Sequence, residues 1–274
     1  MNKPLTIIFI LLSYLSFSQK ITKSYNLSKL LDETSGLEIL EDYFITHNDS
    51  GNDPALYYLN KKGKIIQKRL LEGHTNIDWE DITKDEAYFY VADMGNNYDN
   101  RKDLKILKVP IDPNSLEDIK IISFYYPEQK KFNYEIKSMF DAEALVSVGE
   151  SLIIFTKNRA SKTTQIYKLP KISGHYKAEK IGTLKTQSIV TGADYRDDLR
   201  ILALTSTIDF NNYYLLLLKN FDFSAKPDYT IDMYEIPIGK SQVEAIKIIN
   251  PREFWLTSED ENSTNSARLF SMKL

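Results

Sequence analysis

The 274-residue sequence lacks cysteine and contains only three histidines. Without cysteine the chain forms no disulfide, offers no thiolate nucleophile and cannot carry a lipid on an N-terminal cysteine. Zinc centres in proteins are mostly built from cysteine and histidine, so this composition argues against a dedicated zinc site. A strong charge of one sign is also missing, since the formal net charge is −3. The balance favours neither a nucleic acid nor an anionic membrane as partner.

Long hydrophobic runs are confined to the N-terminus. The apolar segment from Leu5 to Phe17 is short for a membrane span and follows a basic residue, and Ser16 and Ser18 supply small side chains of the kind that a signal peptidase reads. We therefore predict that residues 1–18 are a signal peptide cleaved before Gln19, with an uncleaved anchor as the alternative. The remaining chain is expected to form one domain, without membrane insertion, in the periplasm or outside the cell.

No segment of the mature chain shows a sustained 3.6-residue hydrophobic period, which argues against a helical solenoid. A short phrase instead recurs at residues 33–37, 78–82, 141–145, 190–194 and 242–246. Glu33-Thr-Ser-Gly-Leu37 and Asp141-Ala-Glu-Ala-Leu145 are two of its versions. Repeats of this spacing indicate solenoids, propellers or arrays. Alignment of the phrases places five residues in one column: Ser35, Glu80, Glu143, Gly192 and Glu244.

The segments between the phrases predict the architecture. Each phrase is followed by apolar, aromatic runs of strand length, such as Tyr88-Phe-Tyr-Val-Ala92, separated by polar turns. With the phrase as the innermost strand, each unit contains four strands, which is a propeller blade. The last unit ends at Leu274 one strand short, whereas an additional strand-like segment, Lys20–Leu27, precedes the first phrase. We predict an all-β, five-bladed propeller whose ring is closed by this N-terminal strand, with six blades as the alternative.

Innermost strands line the axis of a propeller, so Glu80, Glu143 and Glu244 are expected to meet at one end of it. The turns between the second and third strands open onto the same face. They are predicted to bring further candidates there, namely His47, Asp93, Lys157, Asn158, Arg159 and Glu259.

Clustered carboxylates raise one another's pKa and call for a positive partner. Lys157 or Arg159 could supply it, and so could a divalent cation. Oxygen ligands suit a hard cation such as Ca²⁺, so we predict a metal site at Glu80, Glu143 and Glu244. The alternative is that these glutamates join neighbouring blades and bind nothing.

The phrases at 33–37, 78–82 and 141–145, together with Tyr90-Val-Ala-Asp-Met-Gly-Asn96, resemble those of exported bacterial propellers related to the phytase-like, SdiA-regulated and NHL/TolB-like groups. The resemblance implies the fold more than an activity. The gluconolactonase and regucalcin propellers are more distantly similar and place Glu, Asn and Asp around an axial divalent metal. That likeness implies Glu80, Glu143, Glu244 and Asn158 as corresponding residues.

These observations predict an exported, monomeric propeller whose acidic mouth binds a divalent cation or a small polar ligand. One competing hypothesis is a metal-dependent hydrolase of a phosphoester, lactone or glycan, with Glu80, Glu143 or His47 as the base. Another is an interaction scaffold for an unknown protein partner.

Overall fold

The structure, a computed structural model, describes residues 19–133, 139–223, 229–260 and 267–274. The predicted signal peptide lies outside these residues. The described chain consists of strands, apart from a single turn of 3-10 helix at Lys29–Leu31. Within these ranges no helix is long and apolar enough to span a membrane.

Five sheets follow one another along the chain, and the first four each begin with their innermost strand. The first blade contains β2 (Thr34–Leu40), β3 (Tyr43–Asn48), β4 (Ala55–Leu59) and β5 (Ile65–Leu70). The second contains β6 (Trp79–Lys84), β7 (Tyr88–Asp93), β8 (Lys105–Pro110) and β9 (Lys120–Tyr125). The third contains β10 (Ala142–Val148), β11 (Ser151–Thr156), β12 (Thr164–Pro170) and β14 (Glu179–Leu184). The fourth contains β15 (Ile189–Arg196), β16 (Ile201–Thr207), β17 (Tyr213–Lys219) and β18 (Ile231–Glu235).

The fifth blade closes the ring. It contains β19 (Val243–Asn250), β20 (Glu253–Ser258), β21 (Arg268–Lys273) and, as its outer strand, β1 (Lys20–Asn26). Strand β1 pairs antiparallel with β21, with Ile21 opposite Met272 and Tyr25 opposite Leu269. The predicted five-bladed propeller and its closure by the N-terminal strand are confirmed, and the six-bladed alternative is wrong.

One strand-like run of the sequence, residues 176–181, is divided between two blades. Strand β13 (Gly174–Lys177) pairs in parallel with β9 of the second blade. The chain then passes through Ala178, which is fully buried and donates its N–H to the Tyr125 carbonyl. Strand β14 follows as the outer strand of the third blade. A connection of the third blade thus covers the outer edge of the second, and a covered edge is unavailable for pairing with another chain.

The core lies between adjacent sheets, because each blade packs its apolar faces against its neighbours. Inner strands are almost entirely buried, whereas an outer strand such as β5 has only half-buried and exposed positions. Isoleucine and aromatic residues are frequent in these strands, as expected for side chains that pack on a pleated surface.

Polar contacts between inner strands fix the spacing around the axis. The Ser35 hydroxyl donates to the Glu80 carbonyl at 2.5 Å, which joins the first two blades. The Asp81 carboxylate accepts the Leu145 N–H at 2.8 Å, which joins the second and third. The hydroxyl of Thr191 performs the same role between the fourth and fifth blades. These three contacts hold the inner strands that they join in defined relative positions.

Candidate functional site at one end of the axis

A polar cavity of about 200 Å³ lies where the inner strands begin, and we call it the axial mouth. Four members of the aligned column line it: Ser35, Glu80, Glu143 and Glu244. The fifth member, Gly192, contributes no side chain, because a Cβ there would overlap the Glu244 carbonyl oxygen and lie 2.8 Å from the Thr205 hydroxyl. The inner strands of the fourth and fifth blades thus approach too closely for anything larger than glycine.

The third blade supplies the positive charges of the mouth. The Lys157 Nζ lies 2.6 Å from the Glu143 Oε1, and both side chains are buried. The Arg159 guanidinium lies 2.7 Å from an Asp141 oxygen and also donates to Asn97 at 2.6 Å. Both third-blade carboxylates therefore have a basic partner.

The pKa values of the Lys157 pair reflect burial and charge acting together. Burial raises the pKa of Glu143 to about 7, although Lys157 opposes the shift. Burial lowers the pKa of Lys157, but the surrounding carboxylates outweigh it and leave that pKa above its usual value. The ammonium is therefore charged at neutral pH and neutralises part of the mouth.

The first and second blades place three carboxylates together. Asp49, Asp78 and Glu80 each offer an oxygen, and these oxygens lie within 4.8 Å of one another. None of the three forms an ion pair with any residue that the structure describes. Gly95 makes room for them, because a Cβ at that position would overlap oxygens of both Asp78 and Glu80. We call this group the carboxylate triad.

Burial and mutual repulsion both act on the triad. Burial raises the pKa of Asp78 to about 7, and the charges of Asp49 and Asp141 add to the shift. Burial likewise raises the pKa of Glu80 well above its usual value, with Glu143 as the largest charge contribution. A cation bound among these oxygens would relieve both effects.

The fifth blade contributes two more buried carboxylates. Glu244 is 4 % exposed, and its Oε1 atom has no hydrogen-bond partner within the described chain. Glu259 follows β20 and donates its backbone N–H to the Gln242 carbonyl at 2.8 Å, next to the start of β19. Burial raises the pKa of Glu244, and the charge of Glu259 raises it further.

The predicted residues Asp93 and Asn158 have structural roles. Asp93 is fully buried and ion-paired with Arg101 and Lys105, each at 2.9 Å. The Asn158 side chain accepts from the N–H groups of Ala160 and Ser161 and so closes the turn after β11. Neither residue lines the axial mouth. The carboxylate oxygens of Asp93 and the amide oxygen of Asn158 are thus already engaged in ion pairs or hydrogen bonds within the protein.

His47 was predicted as a candidate base in the mouth, but it lies between the first two blades. Its ring is completely buried, 5.5 Å from the Trp79 ring and 3.0 Å from the Asn48 carbonyl. Burial lowers its pKa to about 4, against the opposing effect of backbone hydrogen bonds. A buried, neutral imidazole outside the cavity lining cannot act as a base there.

The predicted metal ligands are only partly brought together. Glu80 and Glu143 share a second group with Asp141, whereas Glu244 joins neither group of three found in the described residues. Sequence reasoning missed Asp49, Asp78 and Asp141. A signal for two of them existed, because Asp78 and Asp141 each open a repeat phrase two residues before the column position.

A buried lysine also closes the opposite end of the axis. The Lys247 Nζ lies 3.0 Å from a Glu38 oxygen and 2.6 Å from an Asp194 oxygen. A shallow cavity of about 400 Å³ lies on this side. Asp194 also accepts the Ile248 N–H at 2.8 Å, which ties this ion pair to the frame of inner strands.

Comparison with known proteins supports the fold and no closer relationship. No family model matches the chain, and no curated protein matches it significantly. The PQQ-bound aldose sugar dehydrogenase of Streptomyces coelicolor superposes with a TM-score of 0.52 at 11% identity, covering 93% of this chain and 98% of that one. The exo-β-1,3-galactanase of Phanerochaete chrysosporium superposes with a TM-score of 0.56 at 7% identity, where 93% of this chain spans 64% of the galactanase.

A third similar structure is that of a candidate exported protein from Bacteroides fragilis, with a TM-score of 0.45, 13% identity and coverage of 92% and 94% of the two chains. The dehydrogenase and the galactanase share the propeller fold with this chain, and identities this low transfer no activity. The phytase-like, SdiA-regulated and NHL/TolB-like groups are not distinguished by these likenesses.

Proposed function

We propose that this chain is an exported, monomeric propeller that binds a hard divalent cation, such as Ca²⁺, at the carboxylate triad. The observation that carries the proposal is the arrangement of Asp49, Asp78 and Glu80, whose oxygens lie within 4.8 Å of one another with no basic partner among the described residues. Three carboxylates and no nitrogen or sulfur ligand suit a hard cation, with water completing the coordination.

The position of Lys157 favours the carboxylate triad as the metal site over Glu80, Glu143 and Glu244, the metal ligands predicted from the sequence. Lys157 occupies the region around Glu143, so a metal held by Glu143 would face an ammonium 2.6 Å from its ligand oxygen. The charges of Lys157 and Arg101 act on Asp49 and Asp78 respectively, but no basic side chain of the described chain forms an ion pair with the triad. This difference in pairing favours the triad, and not Glu143, as the place where an external cation would bind.

A hydrolase with metal-bound water would also need a base beside the metal. Of the three candidates, Glu143 is ion-paired with Lys157, His47 lies outside the cavity, and Glu80 belongs to the triad. The residues that the structure describes therefore favour binding over hydrolysis.

The test is a titration of chelator-treated protein with Ca²⁺, Mg²⁺ and Mn²⁺, followed by calorimetry and by melting temperature. A ligand that binds only the folded state stabilises it by about 2.7 kcal/mol at a concentration of 100 Kd. Glu80→Gln should abolish the response, while Glu72→Gln, which alters an exposed carboxylate before the second blade, should retain it. Absence of binding up to millimolar concentrations of all three ions would overturn the proposal.

Export has its own test. N-terminal sequencing of the protein from the producing cell should find Gln19 as the first residue in a soluble fraction. Recovery of the chain with Met1 in a membrane fraction would contradict it.

A further inference from the structure

The axial mouth has two chemically different halves. The half formed by the first three blades carries the carboxylate triad and the ion pairs of Lys157 and Arg159. The fourth and fifth blades contribute Phe210, Gln242 and Glu244 to the cavity lining. This last half combines an aromatic ring with a carboxylate, Glu244, that forms no ion pair among the described residues and is not part of the carboxylate triad.

Phe210 is an exposed aromatic residue held in an unusual backbone conformation. Its side chain is 43% exposed and lines the cavity, and its φ of 61° lies in the left-handed region, which a bulky residue rarely adopts. The Thr207 hydroxyl anchors the loop by accepting the Phe210 N–H at 2.8 Å and donating to the Asn212 carbonyl at 2.9 Å. Strained residues of this kind persist where the surrounding structure fixes them, and they concentrate at ligand sites.

The inner strand of the fourth blade places no side chain at the aligned position, because that position is Gly192 and the close approach of Glu244 requires glycine. Its contribution to the mouth is therefore the Phe210 ring from the β16–β17 loop. The polar groups of this half come from the fifth blade, and Glu244 Oε1 is a buried acceptor without a partner in the described residues.

The basic side chains of the mouth already have acceptors within the protein, whereas one buried acceptor has no donor among the described residues. The Lys157 ammonium and the Arg159 guanidinium already donate to Glu143, Asp141 and Asn97. An acceptor remains at Glu244, and a second buried carboxylate, Glu259, lies beside it on the same blade. A ligand that fits this half must donate hydrogen bonds, carry positive charge and present a face to an aromatic ring.

We infer that the half of the mouth formed by Phe210, Gln242 and Glu244 is a subsite for a small organic ligand bearing a primary ammonium group. The ammonium donates to Glu244, while the adjoining carbon skeleton or the charge itself lies against the Phe210 ring. Ammonium groups are attracted to the face of an aromatic ring, and charge-assisted hydrogen bonds to a carboxylate are the stronger kind. The subsite uses different side chains from the triad, although both line the same cavity, and it does not require the metal.

The test measures binding of n-butylamine by calorimetry at pH 7.5, in the presence of a chelator, with n-butanol as the uncharged comparison. We expect n-butylamine to bind and n-butanol to bind at least about tenfold more weakly, as charge recognition requires. Phe210→Leu keeps an apolar surface and removes the ring, and should weaken n-butylamine about tenfold. Glu244→Gln should weaken it at least as much. N-acetyl-lysine amide tests whether the ammonium group belongs to a lysine side chain or to a small free amine. Binding comparable with that of n-butylamine indicates a lysine side chain, and much weaker binding indicates a small free amine.

The subsite and the metal site can fail independently. Glu80→Gln should remove the Ca²⁺ response and leave n-butylamine binding within about threefold, whereas Phe210→Leu should do the reverse. Phe210 is exposed, so its replacement does not threaten folding. Equal binding of n-butylamine and n-butanol, or n-butylamine binding that is unchanged in both Phe210→Leu and Glu244→Gln, would overturn the inference.

Discussion

Replacing His47 should remove an acid-sensitive contribution to stability. The imidazole is fully buried against Trp79, and burial lowers its pKa to about 4, compared with about 6.5 in an unfolded chain. Between these values the unfolded state binds a proton that the folded state does not, so the free energy of unfolding falls as the pH falls. From pH 7.5 to pH 4.5 the loss amounts to about 2.5 kcal/mol, at 1.36 kcal/mol for each pKa unit.

The carboxylates of the mouth act in the opposite direction and must be separated from this effect. The pKa of Asp78 and that of Glu143 are raised to about 7. Their contribution is therefore present below the unfolded pKa and is lost as the pH rises through the folded value. The useful quantity is the difference in unfolding free energy between the wild-type protein and His47→Gln, in which the carboxylate contribution cancels.

Urea unfolding at pH 7.5 and pH 4.5 measures that difference. His47→Gln should be destabilising at pH 7.5, and its disadvantage should shrink by about 2.5 kcal/mol at pH 4.5. His175→Gln is the matched control, since His175 is exposed on β13. A disadvantage that stays constant between the two pH values would refute the reasoning, because it would mean that the imidazole titrates alike in the folded and unfolded chains.

Three further predictions concern the frame of the propeller. Lys247→Met leaves two buried carboxylates without their ammonium and should cost about 3–5 kcal/mol in urea unfolding. A chain beginning at Ser28 lacks β1 and the buried Leu27. It should lose about 4 kcal/mol of unfolding free energy, because less apolar area is buried, and it should aggregate on heating. An unchanged melting temperature would show that the ring closes without this strand. Gly192→Ala places a Cβ against the Glu244 carbonyl and should lower the melting temperature by several degrees, as overpacking that costs about 1–3 kcal/mol requires.

The fold could be predicted from the sequence because a blade is a local unit. Each repeat phrase starts an inner strand, and the missing outer strand of the last unit is supplied by the segment ahead of the first. Strand β13 could not be predicted in the same way. Its partner β9 is about fifty residues away, and four residues of parallel pairing leave no pattern in the sequence.

The candidate site was predictable to the extent that it depends on inner strands. Glu80, Glu143 and Glu244 do line one mouth, since equivalent positions of inner strands converge. The ends of the second strands behave differently. Lys157 reaches the cavity, whereas Asp93 at the corresponding strand end is held by Arg101 and Lys105. Which charge pairs with which depends on the path of the β7–β8 loop, and spacing along the chain does not reveal it.

The two ends of the axis differ in how their charges are satisfied. Lys247 bridges Glu38 and Asp194 at one end, and Asp194 in addition accepts a backbone N–H from the neighbouring blade. At the mouth, Glu80 and Glu244 are equally buried, but neither forms an ion pair within the described residues. Positions where a folded chain leaves polar groups unsatisfied are expected to be functional. The difference supports the proposal that the mouth binds a ligand, and it suits a structural role at the opposite end.

This asymmetry makes a final prediction about stability. Burial raises the pKa of both Glu80 and Glu244, so each carboxylate destabilises the folded state increasingly as the pH rises through its folded pKa. With metal chelated at pH 8, the double variant Glu80→Gln/Glu244→Gln should unfold at a higher urea concentration than the wild-type protein. The expected gain in unfolding free energy is about 1–2 kcal/mol. If the glutamates instead serve to join neighbouring blades, the same variant must be less stable, because it loses charge-assisted hydrogen bonds. A destabilised double variant would therefore remove the argument that these carboxylates are kept for a ligand.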